Sequence, residues 1–331
     1  MAKTVQKLLI VVLTCAALIV LFAGAVNTGT LKVAPSQLFS GLFISYDDTV
    51  ATIFDLRFPR IFIALVGGAA LAVSGVLLQA VIRNPLADPG IIGINAGAGF
   101  AAICVALFAP VLFYFTPLFA CLGGIIAFLL VYALSWRGGS LLPIRIILVG
   151  IATGALFSGL SAAFSAGTGG VMSGVAKLID ANITMKTWSD FKTLAAYVVP
   201  FLLIALLCVK RCDLLMLEDK TARSLGVDVA KSRLFISAVA VVLASISSAI
   251  IGPISFLGLI VPHCARLLVG SHHRWLIPYS CVLGAFMLLF ADTLGRVIAA
   301  PYEISAAVIM SVIGGPAFII LLLKARDTYG Q

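Results

Sequence analysis

Residue types that do covalent chemistry are sparse in this sequence and badly spaced for it. The three histidines (His263, His272 and His273) show no HExxH or other ligand spacing, so a protein metal site is not expected. The seven cysteines are scattered through apolar runs without a CxxC pair, which suits small packing residues. No GxxxxGK[ST] occurs and no Gly precedes a Lys, so no P-loop can cradle ATP. Ser/His/Asp catalysis has no support. Charge is the feature that is organised. Residues 210–233, KRCDLLMLEDKTARSLGVDVAKSR, hold ten of the 35 charged residues in the 331-residue chain. Outside that island, Asp292 is followed one helical turn later by Arg296, and Arg57 and Arg60 stand three apart at a helix start, each pair spaced to share a face.

The elements that must position these groups are apolar. Hydrophobic residues make up 62% and charged residues 11%, against roughly 45–50% and about 25% in soluble domains. The composition predicts a multi-pass membrane protein. Ten spans are expected, near 8–26, 58–82, 90–109, 112–136, 144–166, 192–209, 233–251, 254–270, 275–297 and 304–323, the eighth short and broken by Pro262. The first is too long for a signal-peptide core and reads as an uncleaved helix. With the N-terminus inside, inner segments hold 15 Lys/Arg and outer segments seven, so the positive-inside rule places both termini in the cytoplasm. The net charge of +9 is explained without nucleic acid. Trp136, Trp188 and Trp275 fall near span ends, as interfacial anchors do.

The island then becomes the largest inner loop. Leu214, Leu215, Leu217, Ala222 and Leu225 alternate with charges of both signs, and Gly226 can end a short helix in a left-handed turn. Positive-inside bias does not require the four acidic residues; an apolar stripe between opposite charges suits a docking protein. In RNPLADPG (83–90), Asp88 is placed as N-cap of the third span with Pro89 at its first position. Small residues such as Gly67, Gly68, Ala72 and Gly75 suit close helix packing in lipid. Ser158, Ser161 and Ser165 could line a pathway in the fifth span. GPISFLGLIVPHCARLLVG (252–270) carries the prolines and glycines of a broken helix, tolerated in a membrane only where protein or a watery cavity covers the freed backbone.

These motifs carry a resemblance. LRFPR (56–60), GAALAVSGVLLQAVIRNPLADPGIIG (68–93), LEDKTARSLG (217–226), GPISFLGLIVPHCARLLVG and IGGPAFIILL (313–322) together resemble FecCD-type permeases of iron-siderophore, haem and cobalamin ABC importers, over about residues 50–324. The resemblance implies a cobalamin-permease-like, all-α type II importer fold of ten transmembrane helices, one permease domain over 1–331 with a cytoplasmic coupling loop at 210–233. It implies paired permease subunits, same or homologous, two cytoplasmic ATP-binding subunits that use the ATP, and an extracellular or periplasmic substrate-binding protein. It assigns Leu217, Glu218, Asp219, Ala222, Arg223, Leu225 and Gly226 to ATPase coupling, and Arg57, Arg60 and Arg296 to binding-protein docking. Departures are Glu218 where the family often has Gly, the missing tryptophan-and-glycine signature in 174–190, and YEISAAV (302–308), which lacks a Pro-Val-Gly. RIFIALVGGAALAVSGV (from Arg60) and RLFISAVAVVLASISSA (from Arg233) share five of 17 positions, which suits an inverted repeat of spans 2–5 and 7–10.

The expectation is a non-enzymatic bacterial cell-membrane permease for a ferric-siderophore complex, with no cofactor of its own. Haem and cobalamin remain open as cargo. An ion-coupled secondary transporter working through Asp292 is the alternative from another class; a scaffold without transport fits the broken eighth span poorly.

Overall fold

The computed structural model describes residues 2–29, 31–137, 140–141, 143–167, 183–300 and 302–329. It is helical throughout apart from one two-residue ladder, Trp136–Arg137 (β1) with Ser140–Leu141 (β2). The helices are α1 (Ala2–Val26), α2 (Pro35–Phe43), α3 (Asp48–Leu56), α4 (Phe58–Ile82), α5 (Ile94–Phe108), α6 (Thr116–Ser135), α7 (Pro143–Gly167), α8 (Trp188–Leu207), α9 (Val209–Leu215), α10 (Asp219–Ser224), α11 (Val229–Ile251), α12 (Leu257–Val269), α13 (His273–Ile298) and α14 (Ala306–Tyr329). Helices fall at all ten expected positions. Seven of the described segments are long and apolar enough to cross a membrane; α5, α12 and Ala306–Ile320 of α14 are shorter apolar helices.

Helix α4 is the axis. It packs against α8, α11, α12 and α13 and is buried along almost its whole length. Small residues make this possible. A Cβ on Gly75 would lie 2.6 Å from the Gly258 carbonyl carbon, and one on Gly68 3.0 Å from that of Gly284. Backbones therefore meet where larger side chains would hold them apart. Ser74 Oγ donates to Ala240 O at 2.7 Å, tying α4 to α11.

The packing repeats itself. Aligning Arg60 with Arg233 makes Ala72 equivalent to Ser245. A Cβ on Gly284 of α13 would lie 2.5 Å from Ala72 Cβ, and one on Gly124 of α6 2.9 Å from Ser245 Cβ. Likewise α4 touches α12 and α13 as α11 touches α5 and α6. The 17-residue echo thus marks corresponding contacts in two structural repeats.

Two expectations need correcting. The eighth segment is not broken at Pro262. Gly252–Ser255 is non-helical, Phe256 takes φ 66°, and the helix then runs through Pro262. Proline cannot bond the carbonyl four residues back, and that carbonyl, Gly258 O, instead accepts Gln79 Nε2 of α4 at 3.3 Å. Nor does Asp88 cap the third span. Its Oδ1 accepts Gly90 N and Ile91 N at 2.8 and 3.1 Å, capping a separate turn, and α5 starts only after Gly93 (φ 86°). Both α5 and α12 consequently begin inside the bundle: Ile94 lies beside Gly124 of α6, and Gly258 beside Gly75 of α4.

Candidate functional site

The two broken segments meet. Asn95 Nδ2 donates to Ile254 O at 3.3 Å. Asp88 is 1% exposed, and its second oxygen faces the backbone of Gly258 at the start of α12; Asn95 Oδ1 has no hydrogen-bond partner among the described residues. A cavity of about 380 Å³ opens at this junction. Gly90, Ile91 and Asn95 line it from one break, Pro253 and Ser255 from the other, and Gly154 and Ser158 from α7. Of the three serines expected on a pathway, Ser158 faces this cavity. Ser161 bonds Phe157 O of its own helix at 2.8 Å, and the side chain of Ser165 lies outside the described residues.

The arginine trio gathers at one end of the bundle, mostly turned inward. Arg60 grips Asp292 through Nε and Nη2 (2.8–3.1 Å) and Glu303 through Nη1 (2.9 and 3.2 Å). Arg296 reaches Asp292 at 3.3 Å and donates to Ala25 O at 3.2 Å. Arg60 and Arg296 are 8% and 9% exposed. Asp292 is therefore the buried hub of an ion-pair network. Arg57 is only half-buried, its guanidinium on Val26 O and Leu31 O. Glu303, in sequence no more than part of a departing motif, is the fourth member of the network, with Arg60, Asp292 and Arg296. Partial burial opposes its ionisation, but the Arg60 guanidinium outweighs this and holds the carboxyl below its usual range. It also accepts Thr184 Oγ1 at 3.0 Å. No local spacing pairs residues 60 and 303, so only the fold reveals this contact.

The charged island lies at the opposite end of α4 and α11. α10 ends in a Schellman turn, with Val227 N on Ala222 O (3.2 Å), Gly226 N on Arg223 O (2.9 Å), and Gly226 at φ 82° as the left-handed turn requires. Leu217, Glu218, Arg223, Leu225 and Gly226 are exposed, as is Met216 beside them. Ala222 is fully buried and faces its own chain, so it anchors α10 and is not itself part of the outward surface. Asp219 also points inward, to Arg233 at 2.9 and 3.1 Å and to Arg83. Partial burial would raise the Asp219 carboxyl; the Arg233 and Arg83 guanidiniums override it and hold it low. In sequence Arg83 is only the first residue of a turn, and nothing near it announces this contact.

Comparison with known proteins gives the same outline. The model of the FecCD transport family matches residues 15–324. The "Probable heme-iron transport system permease protein IsdF" of Staphylococcus aureus (strain bovine RF122 / ET3-1) is 40% identical over 331 residues, covering 98% of each chain; IsdF of strain Newman is equally similar. A chain described as a metal-chelate type ABC transporter in an inward-facing conformation superposes with a TM-score of 0.80 at 28% identity, over 96% of this chain and 99% of the other. PsaBC from Streptococcus pneumoniae, solved with a Fab, shares the fold at a TM-score of 0.56 and 17% identity, over 87% and 95%.

Proposed function

From the premise that the chain belongs to the FecCD transport family, we propose that it is the membrane-spanning permease subunit of an ATP-driven importer for an iron chelate. It performs no covalent chemistry, and ATP is hydrolysed on a separate subunit. The observation that carries this reading is the placement of the island: an exposed apolar and charged surface on α10, anchored by Ala222 and Asp219, at the end of the bundle opposite the arginine cluster.

Haem is the first cargo to test, because of the 40% identity to IsdF along nearly the whole chain. A ferric siderophore is the second. Substrate passes between two permease subunits, with the cavity at the helix breaks as part of its route. The Lys/Arg distribution supports a cytoplasmic side for both termini and α10. The Arg57–Arg60–Arg296 end then faces outward, where Arg57 offers the most accessible guanidinium to a carboxylate of a binding protein.

Co-purification tests the reading. The tagged chain is co-expressed with its candidate ATPase and solubilised in mild detergent. The ATPase is expected to accompany it, and to be lost when Glu218 and Arg223 are reversed in charge. Proteoliposomes of the complex are expected to accumulate haem, or a ferric siderophore, only with ATP. Uptake that needs an ion gradient, is indifferent to ATP and is abolished by Asp292→Asn would instead establish an ion-coupled carrier.

A further inference from the structure

We infer that residues 83–93 form a stiff arm linking α10 to the cavity wall, with Arg83 as its pivot. The inference rests on the importer reading for its purpose but on the chain's own contacts for its existence. Arg83 ends α4 in the left-handed region (φ 54°), which aims its side chain away from the helix it terminates. From there its Nε donates to Leu215 O at 2.6 Å and its Nη2 to Asp219. A single guanidinium thus holds the last turn of α9 and the first residue of α10.

The chain beyond Arg83 is bonded at nearly every step. Asn84 Oδ1 accepts Leu86 N at 2.9 Å, and Asn84 O accepts Ala87 N at 3.1 Å. Ala87 O accepts Gln79 Nε2 at 3.1 Å, and the same Gln79 holds Gly258 O of α12. Asp88 caps the Gly90–Ile91 turn, Ile94 N bonds Pro89 O at 3.0 Å, and Pro85 and Pro89 fix two further φ angles. The far end of the arm, Gly90 and Ile91, is cavity wall. A slack loop would absorb a push on α10, whereas this one passes it on. Arg83 is therefore a positioning residue for transport, acting on the cargo route from outside it.

The arm is tested first on the chain alone in nanodiscs, by hydrogen exchange of peptides covering 84–95. Arg83→Ala is expected to speed exchange there about tenfold, Asp219→Asn by up to the same factor because it leaves the Arg83–Leu215 bond, and the double variant no further than Arg83→Ala. Arg233→Ala removes the other partner of Asp219 and is expected to loosen α10 while leaving 84–95 unchanged. Unchanged exchange in the first two variants, additive effects in the double, or an equal effect of Arg233→Ala would overturn the arm. If Arg83→Ala does not fold, Arg83→Lys, which keeps charge but loses the fork, supplies the comparison with Asp219→Asn. The second measurement is haem taken up per ATP hydrolysed by the reconstituted complex. Asp219→Asn is expected to lower this ratio several-fold with hydrolysis retained, and Asp219→Glu to restore it. A faster-exchanging arm with an unchanged ratio would overturn its role in transport. A complex without ATP-driven uptake in the unmodified chain would refute the importer reading instead, leaving the exchange result standing.

Discussion

Gly75→Ala places one methyl group where the fold has none to spare. The added Cβ would stand 2.6 Å from the Gly258 carbonyl carbon. Carbon atoms pack at roughly 3.5–4.0 Å, so α4 and α12 must separate by about 1 Å. The obstacle is backbone, which has no rotamer to swing aside. Separation also strains the Gln79–Gly258 hydrogen bond, the one that satisfies the carbonyl freed by Pro262. Overpacking of this kind costs about 1–3 kcal/mol. Gly99→Ala is the control: nothing lies within 4 Å of its Cβ, and Ala for Gly within a helix is favourable by roughly 0.5–1 kcal/mol. The two methyl groups should move stability in opposite directions. The assay is thermal unfolding in detergent, followed by dye labelling of thiols, with the buried Cys208 and Cys212 exposed on unfolding. At roughly 2–4 °C per kcal/mol, Gly75→Ala should melt several degrees below Gly99→Ala. Equal midpoints would mean that α4 and α12 do not touch backbone to backbone, and the description of the broken segment would fail with them.

Other consequences can be measured with the same preparations. Asp292→Ala leaves two buried guanidiniums short of a counter-charge and should cost about 3–5 kcal/mol, seen as a large fall in thermal midpoint; Glu303→Gln, on the partly exposed flank of Arg60, should cost much less. Leu217→Asp and Leu225→Asp should release the ATPase without changing the melting of the chain, whereas Ala222→Asp should destabilise the chain itself because that position is sealed; equal behaviour of the three would contradict the orientation of α10. Arg57→Glu should weaken binding of the substrate-binding protein, measured by calorimetry, with ATPase assembly intact; unchanged binding would remove Arg57 from the docking surface. The folded Asp219 carboxyl is held below its ordinary value, so the stability it contributes is full above the unfolded value of about 3.9 and is lost as pH falls through the lower folded value. Protection of 84–95, taken as exchange corrected for its intrinsic pH dependence, should accordingly be constant between about pH 5 and 7, where Asp219 stays charged, and should fall below about pH 4; a fall already at about pH 6 would point to another group.

The apolar periods placed the helices well because a membrane span is a local property of about 20 residues. The Asp292–Arg296 pair was legible for the same reason, being one turn apart. The breaks were harder. Pro262 looked like the interruption, but a helix tolerates proline better where the carbonyl it frees is paired, and here the partner, Gln79, is 179 residues away from Gly258. Asp88 had the right type for a cap, yet Gly93 decided where the helix began. In the island, alternating charge and leucine predicted an exposed short helix and Gly226 its end, while the inward turn of Ala222 and Asp219 depended on Arg83 and Arg233. Arg60 and Arg296 were visible as outer charges; the partners that occupy them, Glu303 above all, come together only when α4 and α13 do.

The central position of α4 also sets a problem of synthesis. In the most apolar 18-residue stretch of the Asp48–Ile82 span, 83% of the residues are buried in the finished molecule. Its polar groups find their partners far downstream: Ser74 at Ala240, Gln79 at Gly258, and Arg60 at Asp292, 232 residues later. At ribosomal rates of about 5–20 residues per second, Arg60 waits roughly 10–50 s for its carboxylate. During that interval an arginine, a glutamine and a stripe of bare glycine backbone face lipid or the insertion machinery. A nascent chain stalled before α13 would therefore carry an unpaired arginine at the outer end of α4, a ready mark for membrane quality control to recognise.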